Sequence, residues 1–329
     1  MKHSPKHIAE YLLVRLVAAV LRCLPYRAAL FLGWQAAWFS FYIVHYRVRE
    51  AKRRIKEVFG DRFSKSEIQH IAWISWRNFI FTVAETIRLP VSNRDWVLKV
   101  VDSSLNDYRK LSEWSKTGKG SIIATAHMGS WEMAALACLA YEIPLFSLAA
   151  QQKNHLVDEF YNRSRAGTGF EVVLRSASVL KVIMRKIKEG KTLAILSDVR
   201  GKTEALPVKF LGKTANVAEG MGFIARQTNA PVFPTMITRI GWGLHRYRIY
   251  DPIFPDPKAD KRADALRITQ SFFDILTECV RKEPEQWFWF NKRWIFDPFA
   301  KEENQKSEVR NQHENRGNDH EQITPDMAR

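Results

Sequence analysis

The 329 residues suffice for one large domain or two modest ones, and a hydrophobic content of 46% is ample for a core. A formal charge of +16 needs an acidic counterpart, which leaves nucleic acid, an anionic membrane or an acidic partner as candidates. The three cysteines, Cys23, Cys138 and Cys279, are odd in number and lack metal-ligand spacing, which excludes a disulfide framework and a zinc site and fits reduced thiols in a cytosolic compartment.

At the N-terminus no small-residue cleavage site follows a clean apolar core, so no secretory signal is expected. Residues 8–24 are apolar but carry Glu10, Arg15 and Arg22. After Pro25, residues 28–46 are mainly Ala, Leu, Phe and Trp, interrupted chiefly by Gln35 and His45. A spanning helix needs about 20 residues. The segment is therefore a candidate transmembrane helix, or an interfacial one with Trp34, Trp38, Tyr42 and Tyr46 at headgroup level. A buried core helix also accounts for it; the spanning reading is preferred. The basic run Arg47, Arg49, Lys52, Arg53, Arg54 and Lys56 would face the cytoplasm and anionic lipid. Residues 1–60 thus read as a helical membrane-attachment region, with 47–56 as its basic flank.

Ser64-Lys65-Ser66-Glu67 forms a capping box opening a helix to about Leu89, where Pro90 ends it. Residues 102–116 read as another helix. From Ser121 the pattern alternates, with strands at 122–126, 145–149, 171–174, 192–197 and 231–238, and 244–250 as an edge strand. Helices fall near 133–141, 155–166, 177–189 and 217–228, and an amphipathic one covers 261–282. Such alternation predicts an α/β fold, a mixed and largely parallel sheet flanked by helices, over residues 61–300. Residues 285–296 interleave aromatics with Lys292 and Arg293. Single-stranded nucleic acid can bind such a pattern. No nucleic-acid module accompanies it, so core or membrane-interface packing is preferred and no nucleic-acid partner is expected. The polar residues 301–329 cannot offset their ordering entropy and should be disordered.

The chemistry gathers at His127 and Glu132, the one imidazole and the one carboxylate of the strand–turn–helix from Ser121. On a straight helix a spacing of five separates side chains by about 140°. They converge only if the chain bends, which Gly129 permits. A histidine at a strand mouth with a carboxylate returned to it is a general base with its orienting partner. A surface histidine beside a helix-start glutamate gives the same pattern. Arg163 and Arg165 end the helix at 155–166; guanidinium suits phosphate or an oxyanion, and equally complements a helix C-terminus. Asp198 follows an apolar strand, where open α/β sheets bind ligands. Gly220-Met221-Gly222 lacks the preceding strand and following acid of a dinucleotide fingerprint, and no hydrolase elbow, phosphate loop or zinc helix is present.

His127-Met128-Gly129-Ser130-Trp131-Glu132 resembles the His, four residues, acidic signature of glycerolipid acyltransferases. Its Gly and Trp resemble the lipid A late (secondary) acyltransferase family, lauroyl/myristoyl type. Further similar blocks at Asp198, at Val208 to Gly212, at Ala230 to Pro234 and in 285–296 extend the likeness over roughly residues 47–298. The resemblance implies transfer of an acyl chain from acyl carrier protein or coenzyme A to a hydroxyl of a membrane lipid, foremost a lipid A precursor in lipopolysaccharide biosynthesis. Aminolipid, glycolipid and lysophospholipid acceptors are alternatives. A membrane-associated nucleic-acid-binding protein would explain the charge but leave the His–Glu turn idle. By the same resemblance His127 is the base and Glu132 holds its tautomer. Arg163 is the family's arginine with Arg165 beside it, and Asp198 positions groups by hydrogen bonds. No metal or cofactor is implied, and the expected location is the bacterial inner membrane, with the catalytic domain on its cytoplasmic face. Val199 stands where family members often carry Gln.

Overall fold

The computed structural model describes residues 4–102, 105–149, 153–174, 178–201 and 206–297. Five helices come first: α1 (Pro5–Cys23), α2 (Tyr26–Tyr42), α3 (Val48–Phe59), α4 (Lys65–Arg88) and α5 (Arg94–Val100). Local signals start several of them. The Ser4 and Asn93 side chains accept first-turn N–H groups of α1 and α5, and both bonds of the Ser64–Glu67 capping box are made at α4.

Strands and helices then alternate: β1 (Val101–Asp102), α6 (Leu105–Lys116), β2 (Ser121–Thr125), α7 (Trp131–Ala140), β3 (Leu145–Ala149), α8 (His155–Ala166), β4 (Glu171–Leu174), α9 (Val179–Lys188) and β5 (Thr192–Leu196). After them come β6 (Leu206–Phe210), β7 (Lys213–Val217), α10 (Gly220–Thr228), β8 (Val232–Gly241), β9 (Leu244–Ile249) and α11 (Lys261–Lys282). The main sheet has the order β1-β9-β8-β2-β5-β3-β4 and is parallel except where β8 meets β9. Helices cover both faces, as the alternation requires. Successive β2 residues serve opposite faces: Ile122 and Ala124 join one hydrophobic cluster, Ile123 the other.

Two expectations are corrected, the spanning helix and the edge strand. Among the described residues no helix is long and apolar enough to cross a membrane. The segment expected to span is α2, which buries Ala29, Leu30, Gly33, Ala37 and Phe41 against the protein and exposes Phe31, Leu32, Trp38 and Phe39. The basic flank falls in a helix, α3, whose Val48, Ala51 and Ile55 enter the same core as the sheet. The strand at 244–250 is not an edge strand, because β1 pairs outside β9.

The β6–β7 hairpin was not anticipated, although Leu206, Val208 and Phe210 alternate inward with Pro207 and Lys209 outward. Val217 ends β7, so α10 begins later than the helix expected from 217. Residues 285–296 are core: Trp287, Trp289, Phe290 and Trp294 are all buried. The tail expected to be disordered, 301–329, lies outside the described residues.

Candidate active site

β2 and β5 are parallel neighbours whose register pairs Thr125 with Leu196. The residues two positions beyond, His127 and Asp198, therefore leave the sheet side by side at its carboxyl edge. His127 Nδ1 lies 2.7 Å from Asp198 Oδ1, while Oδ2 accepts the His127 backbone N–H at 2.9 Å and the Trp287 indole N–H at 2.8 Å. Burial alone would raise the Asp198 carboxyl, but the charge of the His127 imidazole and these hydrogen bonds hold it below its ordinary value. An ionised Asp198 places the hydrogen on Nδ1 and leaves the Nε2 lone pair free to accept a proton.

The turn between β2 and α7 is fixed from two sides. Gly129 has φ +57°, and a Cβ there would sit 2.2 Å from the Ile237 carbonyl oxygen on β8, so only glycine fits. Its N–H donates to Gln286 O at 2.9 Å, and the Phe288 N–H donates to His127 O at 2.8 Å. Residues 286–288, just past α11, thus strap the turn and supply the indole that completes the Asp198 shell.

Glu132 is brought to the same cavity but not to the imidazole. Its Oε1 accepts from Arg165 Nη2 at 2.6 Å. Burial would lower the Arg165 guanidinium, but the Glu132 carboxylate raises it above its ordinary value. The role of tautomer-holding partner expected of Glu132 is thus occupied by Asp198: Gly129 bends the chain, yet α7 starts at Trp131 and carries Glu132 toward α8. Arg163, expected as the principal arginine, has a side chain 77% exposed and pairs with Glu159 one helical turn away. One α-helical turn sends residues two apart to different sides, so only Arg165 faces the cavity.

That cavity measures about 410 Å³ and is lined by His127, Trp131, Glu132 and Arg165, with apolar walls from Ala135, Leu148, Phe170, Ala194, Ile195, Leu196 and Val199. Thr125, Asn291 and Arg293 also line it and were missed by sequence reasoning. Asn291 and Arg293 are among the few polar residues in an aromatic run, which was the available signal. Buried and without a hydrogen-bond partner are Thr125 Oγ1 and Arg165 Nε, two polar atoms at a ligand-sized space.

The helix-flanked parallel sheet thus carries at its carboxyl edge a carboxylate-held imidazole, a group able to accept a proton, opening on a largely apolar cavity. The sequence matches the profile of the bacterial lipid A biosynthesis acyltransferase family over residues 2–295, and the chain belongs to that family. Among curated proteins it is similar to the phosphatidylinositol mannoside acyltransferase of Mycobacterium tuberculosis, 22% identical over 218 residues, 65% of this chain and 66% of the relative. The enzyme of that name from Mycolicibacterium smegmatis is 23% identical over 219 residues, 65% of this chain and 68% of the relative. The match to the first thus spans slightly less than two thirds of its length. A crystal structure of the 1-acyl-sn-glycerophosphate acyltransferase of Thermotoga maritima aligns with 77% of this chain and 95% of its own, at 13% identity and a TM-score of 0.38.

Proposed function

We propose that the chain is a membrane-surface acyltransferase that moves a fatty acyl group from an acyl thioester to a hydroxyl of a lipid acceptor. The observation that carries this reading is His127, its Nδ1 held by Asp198, at the mouth of an apolar-walled cavity that also contains Arg165. Nε2 takes the proton of the acceptor hydroxyl as its oxygen attacks the thioester carbonyl. Collapse of the tetrahedral species forms the ester bond and breaks the C–S bond, and the imidazolium returns its proton to the departing thiolate. Asp198 stabilises the imidazolium between these steps.

Direct transfer suits the site. Ser130 donates its hydroxyl to Glu85 and not to His127, and burial pushes the Cys138 thiol up to about 12, so neither is an activated nucleophile. Arg165 offers a fixed charge and an unused N–H to an acceptor phosphate or to the developing oxyanion. The apolar walls suit the acyl chain.

The donor is acyl carrier protein or acyl-coenzyme A, both acidic and complementary to a chain of formal charge +16. The preferred acceptor is a lipid A precursor, the family's namesake chemistry. The relatives' name, phosphatidylinositol mannoside acyltransferase, favours a second reading, in which the acceptor is another glycolipid.

Attachment is read as interfacial. α1 exposes Leu12, Leu13, Leu16 and Val17, and α2 and its end expose Trp38, Phe39, Ile43 and Val44. Apolar surface of this kind, followed by the basic α3, suits the face of an anionic bilayer. The location follows as the cytoplasmic face of a bacterial inner membrane. Supplying acyl carrier protein and coenzyme A thioesters with lipid A precursor, phosphoinositol mannoside or lysophospholipid, and weighing products by mass spectrometry, tests the reading. Product with none of them, or a fully active His127→Ala enzyme, would refute it.

A further inference from the structure

Behind the catalytic turn lies a polar cluster that the proton-transfer chemistry does not use. Glu85 of α4 is wholly buried, and its carboxylate receives groups from four other elements. Arg239 of β8 donates to both oxygens at 2.9 Å. Tyr26, at the start of α2, donates to Oε1 at 2.5 Å, and His245 Nε2 of β9 lies 3.3 Å from the same oxygen. Ser130 donates to Oε2 at 2.6 Å. Burial would raise the Glu85 carboxyl, but Arg239 and His245 hold it far below its ordinary value, so it accepts every one of these bonds.

Ser130 is the N-cap residue of α7, yet its hydroxyl makes no cap hydrogen bond to the helix. Serine at that position ordinarily accepts a first-turn N–H. Here it forgoes the cap to donate out of the helix to Glu85. The residue stands between His127 and Glu132 on the turn, three positions after one and two before the other. Its neighbour Gly129 is tied to the same helix by Thr82 Oγ1, which donates to Gly129 O at 3.1 Å. On the other side Gln286 holds the Arg239 backbone, accepting from its N–H at 2.8 Å and donating to its C=O at 3.1 Å. Helices α4 and α2, strands β8 and β9 and the turn therefore meet at one carboxylate, and the strap reaches it only through Arg239.

We propose that Glu85 is a positioning residue for the His127 reaction, acting through Ser130 to fix the angle at which the turn presents His127 and Glu132 to the cavity. The proposal rests on the general-base reading above. Tyr26 supplies a built-in control: it gives the same carboxylate a hydrogen bond of similar length, but from a helix that carries no group of the site.

The test compares Ser130→Ala with Tyr26→Phe, measuring melting temperature, kcat and KM for acyl transfer. Both variants should lose a similar amount of thermal stability. Ser130→Ala should lose about 10- to 100-fold in kcat, the cost of a small misplacement of reacting groups, with KM within about twofold. Tyr26→Phe should keep kcat within about twofold. Glu85→Gln should match or exceed the kcat loss of Ser130→Ala, and the double variant should be no slower than Glu85→Gln alone, since partners acting as a unit are not additive. If Glu85→Gln does not fold, the Ser130 and Tyr26 variants still decide. Wild-type kcat in Ser130→Ala, or equal kcat losses in both single variants, overturns the proposal. His127→Ala, run in parallel, separates two failures. An inactive His127→Ala beside an unimpaired Ser130→Ala refutes the positioning role alone, whereas an active His127→Ala removes the general-base reading and this proposal with it.

Discussion

Five residues apart on one turn, His127 and Glu132 each reach across to a partner on another element, and the two pairs behave differently. His127 meets Asp198 at 2.7 Å with its imidazole still 20% exposed to the cavity, while the carboxylate behind it is almost fully enclosed. Glu132 meets Arg165 at 2.6 Å in the same order: the carboxylate is the more buried member and the cation faces the space. In the first pair the exposed member is an imidazole, whose second nitrogen offers a lone pair; in the second it is a guanidinium, permanently charged and without an acceptor. A buried acid behind an exposed base makes a proton acceptor. A buried acid behind an exposed guanidinium makes a fixed cation. The teaching is that a carboxylate's function here is set by what it holds, and both were needed at one cavity.

Removing the base should break the comparison most severely. His127→Ala is expected to lose about 10²- to 10⁴-fold in rate, the span for a positioned general base. Asp198→Asn should approach the same loss, since an amide can stabilise the wrong tautomer and offers no counter-charge. The double variant should be scarcely slower than either alone. Steady-state rates with a normal melting transition check this, and an Asp198→Asn enzyme of near wild-type rate would return the orienting role to Glu132.

The second pair should respond less. Arg165→Ala is expected to cost about 10- to 100-fold in kcat/KM, the 1.5–3 kcal/mol of a hydrogen bond to a charged group. A loss confined to KM would assign Arg165 to a ground-state phosphate, and a loss in kcat to the oxyanion. Glu132→Gln keeps an acceptor for Arg165 and should cost about fivefold, or roughly 1 kcal/mol.

Arg163→Ala should change the rate by less than about twofold, because an exposed pair on one helix contributes little. A larger loss would mean that the helix end turns its other face to the substrate.

Acid stability supplies the finest distinction. The folded-state pKa of Asp198 is depressed below its unfolded value of about 3.9. Its contribution is therefore full above that unfolded value and is lost as pH falls through the lower, folded one. Melting curves of wild type and Asp198→Asn should differ by a constant amount near neutrality and converge only below about pH 4. Convergence already at pH 6 would show that the carboxylate is not held in this way.

Much of this was legible in the chain. The alternation of short apolar runs with helical stretches predicted the parallel strands, and the Ser64–Glu67 box marked the start of α4. The strand–turn–helix around Gly129 located His127, which lines the cavity. What could not be read was which carboxylate reaches it. Glu132 is near in sequence, but Asp198 is near in space only because β5 lies beside β2 while β3 and β4 lie beyond it. Local spacing carries no information on that order. The same blindness affected the arginines: composition placed two at one helix end, and only the packing of α8 on the cavity separates Arg165 from Arg163. In α2 the reverse held. Its apolar length suggested a bilayer, and five of its residues turned out to be buried against the protein itself.

The strap at 286–288 bears on how the protein is made. Every strand of the sheet and its last long helix precede Trp287, yet Asp198 lacks its indole donor and the His127 carbonyl its N–H until that residue and Phe288 are in place. During synthesis from the N-terminus the sheet can close before the reactive pair is set. In synthesis from the N-terminus, α1 and α2 are therefore made well before the contact that completes the His127–Asp198 pair.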